Sequence, residues 1–285
     1  MRISARNKRI MKRIFGHILL LVTLTTAIAS CSVVNNAIKS GDPQFAYEQA
    51  LMLYEQEKWD QASSLFTACR HIYVGTPRED SLTFYNARCQ FKNHNWGDAA
   101  TLLDDYRHRF ARSPFIEDAE GMYALCHYYM SPEPKRDQTV TAQAIIAITE
   151  FMSRYPESEN IPEFQQMLDD LTGRLMEKSY LNAYTYYKIG RYKSAIVAFK
   201  NSMRRYPESP RKEDIMYYIT VSAYRLAANS IESKQVDRYL DMLDYYYSYL
   251  AEYPESPRLR ELERMARDAQ KFHDRNRTTE ETVTE

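Results

Sequence analysis

A four-residue motif, Tyr-Pro-Glu-Ser, occurs three times in the second half of the chain. The copies run from Tyr155 to Ser158, from Tyr206 to Ser209 and from Tyr253 to Ser256, and each follows a stretch with helical periodicity. Recurrence at tens of residues is typical of stacked helical repeats, because one repeat cannot bury its apolar face without a neighbour. The sequence therefore predicts a repeat protein rather than a single-core globule.

Alignment on this motif reveals two earlier, more degenerate copies and a shared pattern. An aromatic or Thr is followed three residues later by Ala or Met and then by a large apolar residue, which puts all three on one helical face. The aligned positions are Trp59, Ala62, Phe66, Tyr73 and Pro77; Trp96, Ala99, Leu103, Phe110 and Pro114; Thr141, Ala144, Ile148 and Tyr155; Tyr192, Ala195, Phe199, Tyr206 and Pro210; and Tyr239, Met242, Tyr246, Tyr253 and Pro257. This pattern predicts the second helix of each hairpin, which the Pro ends.

The pattern predicts an all-α chain. Only 7 Gly occur in 285 residues, and alternating strand-like segments are lacking. The first repeat is close to the roughly 34 residues of a tetratricopeptide repeat and the later ones are longer. We expect a right-handed superhelical solenoid of about five tetratricopeptide-like hairpins, spanning residues 42–273. The expected repeats cover residues 42–77, 78–114, 115–159, 160–210 and 211–273.

The N-terminus indicates export. Residues 1–13 carry basic side chains and no acid, and an apolar run follows that is too short for a comfortable membrane span. Residues 1–30 are predicted to be a lipoprotein signal peptide, with translation starting at Met1 or Met11. The segment before Cys31 resembles a bacterial lipobox, which implies cleavage before Cys31 and its acylation. Residues 31–41 are expected to be a lipidated tether and residues 274–285 a disordered tail.

Acyl chains on Cys31 would hold the protein on a bilayer. An Asp after the cysteine is the Gram-negative signal for inner-membrane retention, so Ser32 favours the outer membrane. Removing residues 1–30 leaves more acidic than basic residues. No basic stripe suggests a nucleic-acid partner, and attraction to anionic lipid headgroups is not indicated.

Catalytic motifs are lacking: there is no phosphate-binding Gly loop, nucleophile elbow or His-Glu-x-x-His. The first three repeats do contain several thiols and imidazoles, namely Cys69, His71, Cys89, His94, His108, Cys126 and His127. Their spacing matches no known zinc site, and free Cys is usually buried, so the sequence predicts neither enzyme, metal nor cofactor. A disulfide between Cys69 and Cys89 stays open as an alternative to reduced core thiols.

A binding surface is the remaining source of function. In tetratricopeptide repeats the first helix of each hairpin lines the groove, and Tyr suits recognition because it has a large rigid face and a polar tip. Counting back from the shared Ala predicts substrate-groove candidates at Tyr47, Leu51, Tyr54, Glu55, Phe84, Arg88, Phe91 and Lys92. Partner-docking candidates are Tyr180, Tyr184, Tyr187, Lys188 and Arg191. The alternative for each aromatic is packing between repeats.

With its lipobox, short tether and Tyr-Pro-x-Ser junctions, the chain resembles the BamD family of outer-membrane lipoproteins of the β-barrel assembly machinery. The resemblance extends from Cys31 to about His273 and is most marked from Arg174 to Pro210. It implies a non-enzymatic scaffold, anchored by lipid on the periplasmic side of the outer membrane. In that family the N-terminal repeats engage unfolded barrel substrates, and the C-terminal repeats dock on the periplasmic domains of BamA within a complex of further lipoproteins.

Two other lipoprotein classes use tetratricopeptide helices. SusD-type glycan binders have about twice this length and a large irregular insert that this sequence lacks. Tol-Pal-type envelope coordinators usually begin with a coiled coil, and residues 32–45 contain no heptads. Both remain alternatives to the assembly scaffold.

Overall fold

The computed structural model describes residues 34–283, with side chains described for residues 34–276. The predicted signal peptide, residues 1–30, and Cys31 lie outside the described residues. Within residues 34–283 no β-strand occurs, and the predicted all-α class is confirmed. The helices are α1 (Pro43–Glu55), α2 (Trp59–Tyr73), α3 (Arg78–Lys92), α4 (Trp96–Arg109), α5 (Ile116–Met130), α6 (Thr139–Arg154), α7 (Ile161–Lys188), α8 (Tyr192–Arg205), α9 (Lys212–Ala228), α10 (Glu232–Glu252) and α11 (Leu259–Val283).

The helices form two compact units. Unit 1 contains the chain up to Met130 together with Ile146–Ile161, and unit 2 contains Ser131–Ile145 together with the chain from Pro162 onward. The boundary passes through α6, whose first half belongs to unit 2 and whose second half belongs to unit 1.

In unit 1, consecutive helices from α1 to α5 pack against each other as hairpins. The core between them is apolar and includes Leu65, Phe66, Leu82 and Leu103, all fully buried. A small residue sits where the helices approach closely: the shared Ala is 0 % exposed at Ala62 and Ala99 and, in later repeats, at Ala144 and Ala195. The repeat pattern thus corresponds to the buried face of each second helix.

In unit 2, α8 to α11 pack in the same consecutive manner. The predicted last repeat, residues 211–273, contains three helices rather than one hairpin, because α11 follows the α9–α10 pair. Leu262, Met265 and Ala269 of α11 pack on the final hairpin, and the rest of that helix is largely charged. A helix with one apolar and one charged face suits the end of a repeat array.

The turn inside three hairpins has the same conformation. Glu57, His94 and Gly190 each stand two residues before the aromatic that begins the second helix, with φ angles of 59°, 60° and 73°. The N–H of the next residue donates to the carbonyl five residues back, as in Lys58 to Leu53 at 2.9 Å. This is the Schellman arrangement, whose left-handed position favours Gly.

The junction Ser accepts a backbone hydrogen bond at the approach to the next helix. Its Oγ accepts the N–H two residues later, at Phe115 (3.1 Å), Arg211 (3.2 Å) and Arg258 (3.2 Å), just before or at the helix start. At Ser256 the hydroxyl also donates to Glu213 at 2.7 Å, and Tyr249 donates to the same carboxylate oxygen at 2.8 Å. The Ser therefore connects the junction to the first helix of its own hairpin.

Two predicted boundaries differ from the structure. Residues 34–39, assigned to the tether, are helical, and Ala37 is buried against the first hairpin, because apolar Val34 and Ala37 share a helical face. The last helix continues to Val283 through residues expected to be disordered from 274 onward, which extend the packed part of α11 without a Gly or Pro to end it.

Candidate functional site

Aromatic pairs surround the hairpin turns of unit 1. Tyr54 meets Trp59 edge to face with ring centroids 5.0 Å apart, and Phe91 meets Trp96 in the same way at 5.2 Å. Each pair joins the end of a first helix to the start of a second helix across the turn. Such edge-to-face pairs stabilise by about 0.5–1.5 kcal/mol beyond their buried area.

Trp96 is stacked between two aromatic rings that are exposed to solvent. His94 lies 4.8 Å from the Trp96 ring at an interplanar angle of 14°, and Tyr129 lies 4.5 Å from it at 24°. Tyr129 is 48 % exposed and His94 is exposed, whereas Trp96 is half-buried. We name the set Tyr54, Trp59, Phe91, His94, Trp96 and Tyr129 the aromatic edge of unit 1.

Two predicted groove residues are packing residues instead. Tyr47 is 8 % exposed, lies 6.1 Å from Phe66, and shares a hydrogen bond of 3.1 Å with Ser81. Phe84 is fully buried and stacks on Phe115 at 4.6 Å, which joins α3 to the residue that precedes α5. Neither ring can present a face to a ligand, so the contact assignment of Tyr47 and Phe84 is corrected.

The other groove candidates of unit 1 reach the surface to different degrees. Leu51, Tyr54, Arg88 and Phe91 are half-buried, and Glu55 and Lys92 are exposed. Arg88 lies over the ring of Phe84 at 5.8 Å. These positions stay candidates for ligand contact.

Four aromatics near this surface were not among the predicted contacts: Trp59, Tyr85, Trp96 and Tyr129. Trp59 and Trp96 were assigned only to the buried pattern of the second helix, although both are half-buried. Tyr85 is also half-buried and touches Tyr54 at 4.9 Å. The signal available in the sequence was the five-residue spacing of Tyr54 and Trp59, repeated at Phe91 and Trp96.

Unit 2 contains a ladder of tyrosines on two first helices. Tyr184 and Tyr187 of α7 lie 4.9 Å and 4.8 Å from Tyr218 of α9. Tyr180 is 8 % exposed, with the Arg211 guanidinium 5.1 Å from its ring centroid, so its assignment as a docking residue is corrected to packing. Burial raises the pKa of Tyr180 to about 12, and this ring keeps its hydroxyl proton at neutral pH.

The exposed side of the turn between α7 and α8 combines basic and apolar groups. Lys188 and Arg191 are exposed, Ile189 is 63 % exposed and Tyr186 is 44 % exposed. Lys188 reaches over the Tyr184 ring at 5.5 Å. We name Tyr184, Tyr186, Tyr187, Lys188, Ile189 and Arg191 the turn surface of unit 2.

Comparison with known proteins identifies the family. Residues 39–181, half of the chain, match the model of the YfiO family, described as outer membrane lipoproteins. The chain belongs to the YfiO family of outer membrane lipoproteins. Residues 180–209 also match a tetratricopeptide repeat model, and this stretch contains the turn surface of unit 2.

Relatives of the YfiO chain include an outer membrane protein assembly factor BamD from Caulobacter vibrioides, 23 % identical over 75 % of this chain and 73 % of that protein. A second protein carrying the BamD name, from Aquifex aeolicus, is 23 % identical over 67 % of this chain and 63 % of that protein. Among solved structures, the TPR2AB domain complex of yeast Sti1 aligns with a TM-score of 0.37 and 12 % identity, over 80 % of this chain and 98 % of that one.

The cysteines of this YfiO-family chain are core residues. Cys69, Cys89 and Cys126 are free and buried. Desolvation raises the pKa of the Cys89 and Cys126 thiols to about 12. Since the thiolate is the nucleophile and metal ligand, these thiols are inert near neutral pH. Within the described residues, no three His, Cys, Asp or Glu side chains converge as a metal site.

A second property concerns the membrane. Across residues 34–283, the helices lack a stretch that is both long and apolar enough to span a bilayer.

Proposed function

We propose that this chain is a non-enzymatic scaffold for the assembly of outer-membrane β-barrel proteins, held on the periplasmic side of the outer membrane by acyl chains on Cys31. The observation that carries the proposal is the family match over residues 39–181, supported by relatives named as outer membrane protein assembly factors. Acylation of Cys31 agrees with membership of a lipoprotein family, because two or more acyl chains are enough to anchor a soluble protein stably to a membrane.

Unit 1 is proposed to receive unfolded barrel substrates at its aromatic edge. Barrel strands carry aromatic girdles at both membrane interfaces, so unfolded substrates present aromatic side chains at intervals. The stacked rings of His94, Trp96 and Tyr129 offer flat apolar faces to such side chains, with Tyr129 48 % exposed. Aromatic anchors of this kind contribute much of the binding energy at protein interfaces.

Unit 2 is proposed to dock on the periplasmic domains of a BamA-like barrel protein, within a complex that contains other assembly lipoproteins. Its turn surface offers an exposed apolar residue, Ile189, between Lys188 and Arg191. An apolar centre with a charged rim is the usual composition of a protein interface. Tyr184 and Tyr187 form the half-buried floor behind it.

The two roles are tested separately with matched variants. For substrate binding, a photo-crosslinking phenylalanine analogue replaces Tyr129 in one variant and Tyr247 in the control, which is 57 % exposed in unit 2. The lipidated protein is mixed with a urea-denatured outer-membrane barrel protein that is then diluted. We expect crosslinks at Tyr129 and few at Tyr247. Equal crosslinking at both positions would contradict substrate binding at the aromatic edge of unit 1.

For docking, Ile189→Asp is compared with Ile231→Asp, since Ile231 is also strongly exposed in unit 2. Co-purification of the BamA-like protein from detergent-solubilised outer membranes is measured. We expect its loss only in Ile189→Asp, because a carboxylate in the apolar centre of an interface must be desolvated. If both variants still co-purify the BamA-like protein, the turn surface is not the docking site. If a glycan transporter is recovered in its place, the assembly function is contradicted and glycan binding is favoured.

A further inference from the structure

Exposed apolar side chains gather at one end of the first hairpin. Ile38, Phe45, Ile72 and Val74 are 49 %, 40 %, 46 % and 61 % exposed. They share an end because α1 begins where the antiparallel α2 finishes: Tyr47 and Tyr73 have ring centroids 5.8 Å apart. We name these four residues the entry patch, since the described chain enters the fold beside them.

Packing within the described chain does not explain the entry patch. The C-terminal helix shows what a solvated surface looks like: α11 carries exposed Arg260, Arg264 and Arg267. Terminal repeats normally need a polar outer face for solubility. Four exposed apolar residues at the N-terminal end therefore indicate a contact with something other than residues 34–276.

The distance to the proposed anchor limits what that contact can be. The body of the fold begins earlier than the sequence suggests, because residues 34–39 are helical and Ala37 is 1 % exposed. Only Ser32 and Val33 separate Cys31 from Val34. At about 3.3–3.6 Å per residue, three residue steps reach about 10 Å at most. The headgroup layer on each side of a bilayer is roughly 5–8 Å thick. An acylated Cys31 thus holds this end of the hairpin at the headgroups.

Local charge agrees with a lipid surface although the mature chain has an excess of acid. Residues 34–41 and 70–78 contain basic side chains and no acidic ones. Arg70 is paired with Asp105 at 3.4 Å, whereas Lys39 and His71 are exposed beside Ile38 and Ile72. The nearest acids in the sequence are Asp42 and Glu79: Asp42 caps α1, and Glu79 is buried and paired with the Gly75 N–H and Arg109. Basic residues close to an anionic membrane surface are attracted to it.

We propose that the entry patch sits in the headgroup layer of the bilayer that carries the anchor, with Ile38, Phe45, Ile72 and Val74 at the acyl boundary and Lys39 at the phosphates. This inference rests on the proposed acylation of Cys31. It adds a second membrane contact, which fixes the first hairpin against the lipid surface instead of leaving it on a free tether.

The test uses the full-length lipidated protein in vesicles of phosphatidylethanolamine and phosphatidylglycerol. A fluorophore sensitive to polarity is attached at Val74→Cys, and Ile231→Cys, 65 % exposed in unit 2, is the control. The buried native thiols, whose pKa is raised, stay unlabelled. Intact mass confirms acylation before each measurement. Quenching by headgroup-level nitroxide lipid is then recorded.

We expect the label at position 74 to lose about half of its fluorescence and its emission to shift to the blue, because a label at the headgroups lies within contact range of the quencher. The label at position 231 should change little. With acylation confirmed, equal quenching at the two sites overturns the inference and leaves the anchor intact. A mass without acyl chains overturns the anchor itself. A concentration-dependent blue shift at Val74 without vesicles would assign the patch to a second copy of the chain, and would also overturn the lipid contact.

Discussion

Replacing Tyr249 by Phe should destabilise unit 2 through the loss of one hydroxyl. The Tyr249 ring is fully buried, and its hydroxyl donates to Glu213 at 2.8 Å and lies 2.7 Å from the Ser256 hydroxyl. Ser256 donates to the same Glu213 oxygen at 2.7 Å. Phe retains the packing of the ring, so the variant isolates the polar contacts between α10, the junction and α9.

The expected size follows from the charge of the acceptor. A hydrogen bond to a charged group contributes about 1.5–3 kcal/mol to stability, and one between neutral groups about 1 kcal/mol. Tyr249→Phe removes one bond to the Glu213 carboxylate and leaves the Ser256 bond in place. We therefore expect the free energy of unfolding of unit 2 to fall by about 2 kcal/mol at neutral pH.

The effect should depend on pH in a defined direction. Hydrogen bonds from Ser256 and Tyr249 lower the pKa of Glu213 in the folded chain. A lowered folded-state pKa gives stability that is present above the unfolded pKa and is lost as the pH falls through the folded value. The difference in stability between wild type and Tyr249→Phe should thus be largest at neutral pH and should shrink in acid, below the ordinary range of a glutamate.

The assay is urea unfolding with native-state hydrogen exchange, since helical repeats can unfold region by region. Tyr246→Phe is the matched control, because Tyr246 lies on the same helix and is 8 % exposed, and burial rather than a hydrogen bond raises the pKa of its hydroxyl. Equal losses in both variants at neutral pH, or a Tyr249→Phe loss that is unchanged in acid, would refute the reasoning.

Three further substitutions are expected to change stability in unit 1. Glu57→Gly should raise the free energy of unfolding by up to about 1 kcal/mol, because Glu57 has φ 59° and a left-handed residue with a Cβ costs roughly 1–2 kcal/mol. Asp42→Ala should lower it by about 1 kcal/mol, since Asp42 caps α1 by accepting two N–H groups. Glu79→Gln should lower it by about 2 kcal/mol at neutral pH and less in acid, because the Gly75 N–H, then Arg109, lowers the Glu79 pKa. Urea midpoints with amide exchange in α1 to α4 measure all three.

Each of these has a control and a contrary outcome. Glu55→Gly, two residues earlier and inside α1, should destabilise, so a loss of stability in Glu57→Gly as well would contradict the turn assignment. Asp42→Asn should retain most of the cap, and a loss as large as that of Asp42→Ala would argue against capping. For Glu79→Gln, a destabilisation that grows as the pH falls would have the wrong sign for a carboxylate with a lowered pKa.

The repeat register was available from the sequence because it depends on the period of apolar residues and on breakers. Ala62, Ala99 and Ala195 are fully buried at the positions that the alignment gave them. Pro cannot continue a helix, so Pro77 and Pro210 separate hairpins wherever the chain is placed. By contrast, Glu57 and His94 adopt the left-handed turn conformation without being Gly, and local propensity gives no sign of this. The packed hairpin imposes it.

The contact surface was only partly predictable. Tyr47, Phe84 and Tyr180 fall on the predicted groove face by periodicity, yet all three are buried. Periodicity places a side chain on a face, but it does not say whether a neighbouring helix covers that face. Trp96 and Tyr129 are far apart in the sequence and stack at 4.5 Å only because α4 and α5 pack together.

By itself, the sequence determined that this chain is a helical repeat protein, because helical period and helix breakers are local properties. The lipoprotein signal peptide, inferred from a charged and then apolar N-terminus, stays a prediction. The tertiary structure decided which aromatics are core and which are surface, since burial is set by residues that are distant in sequence. It also decided that residues 34–39 are helical, because Ala37 packs against the first hairpin.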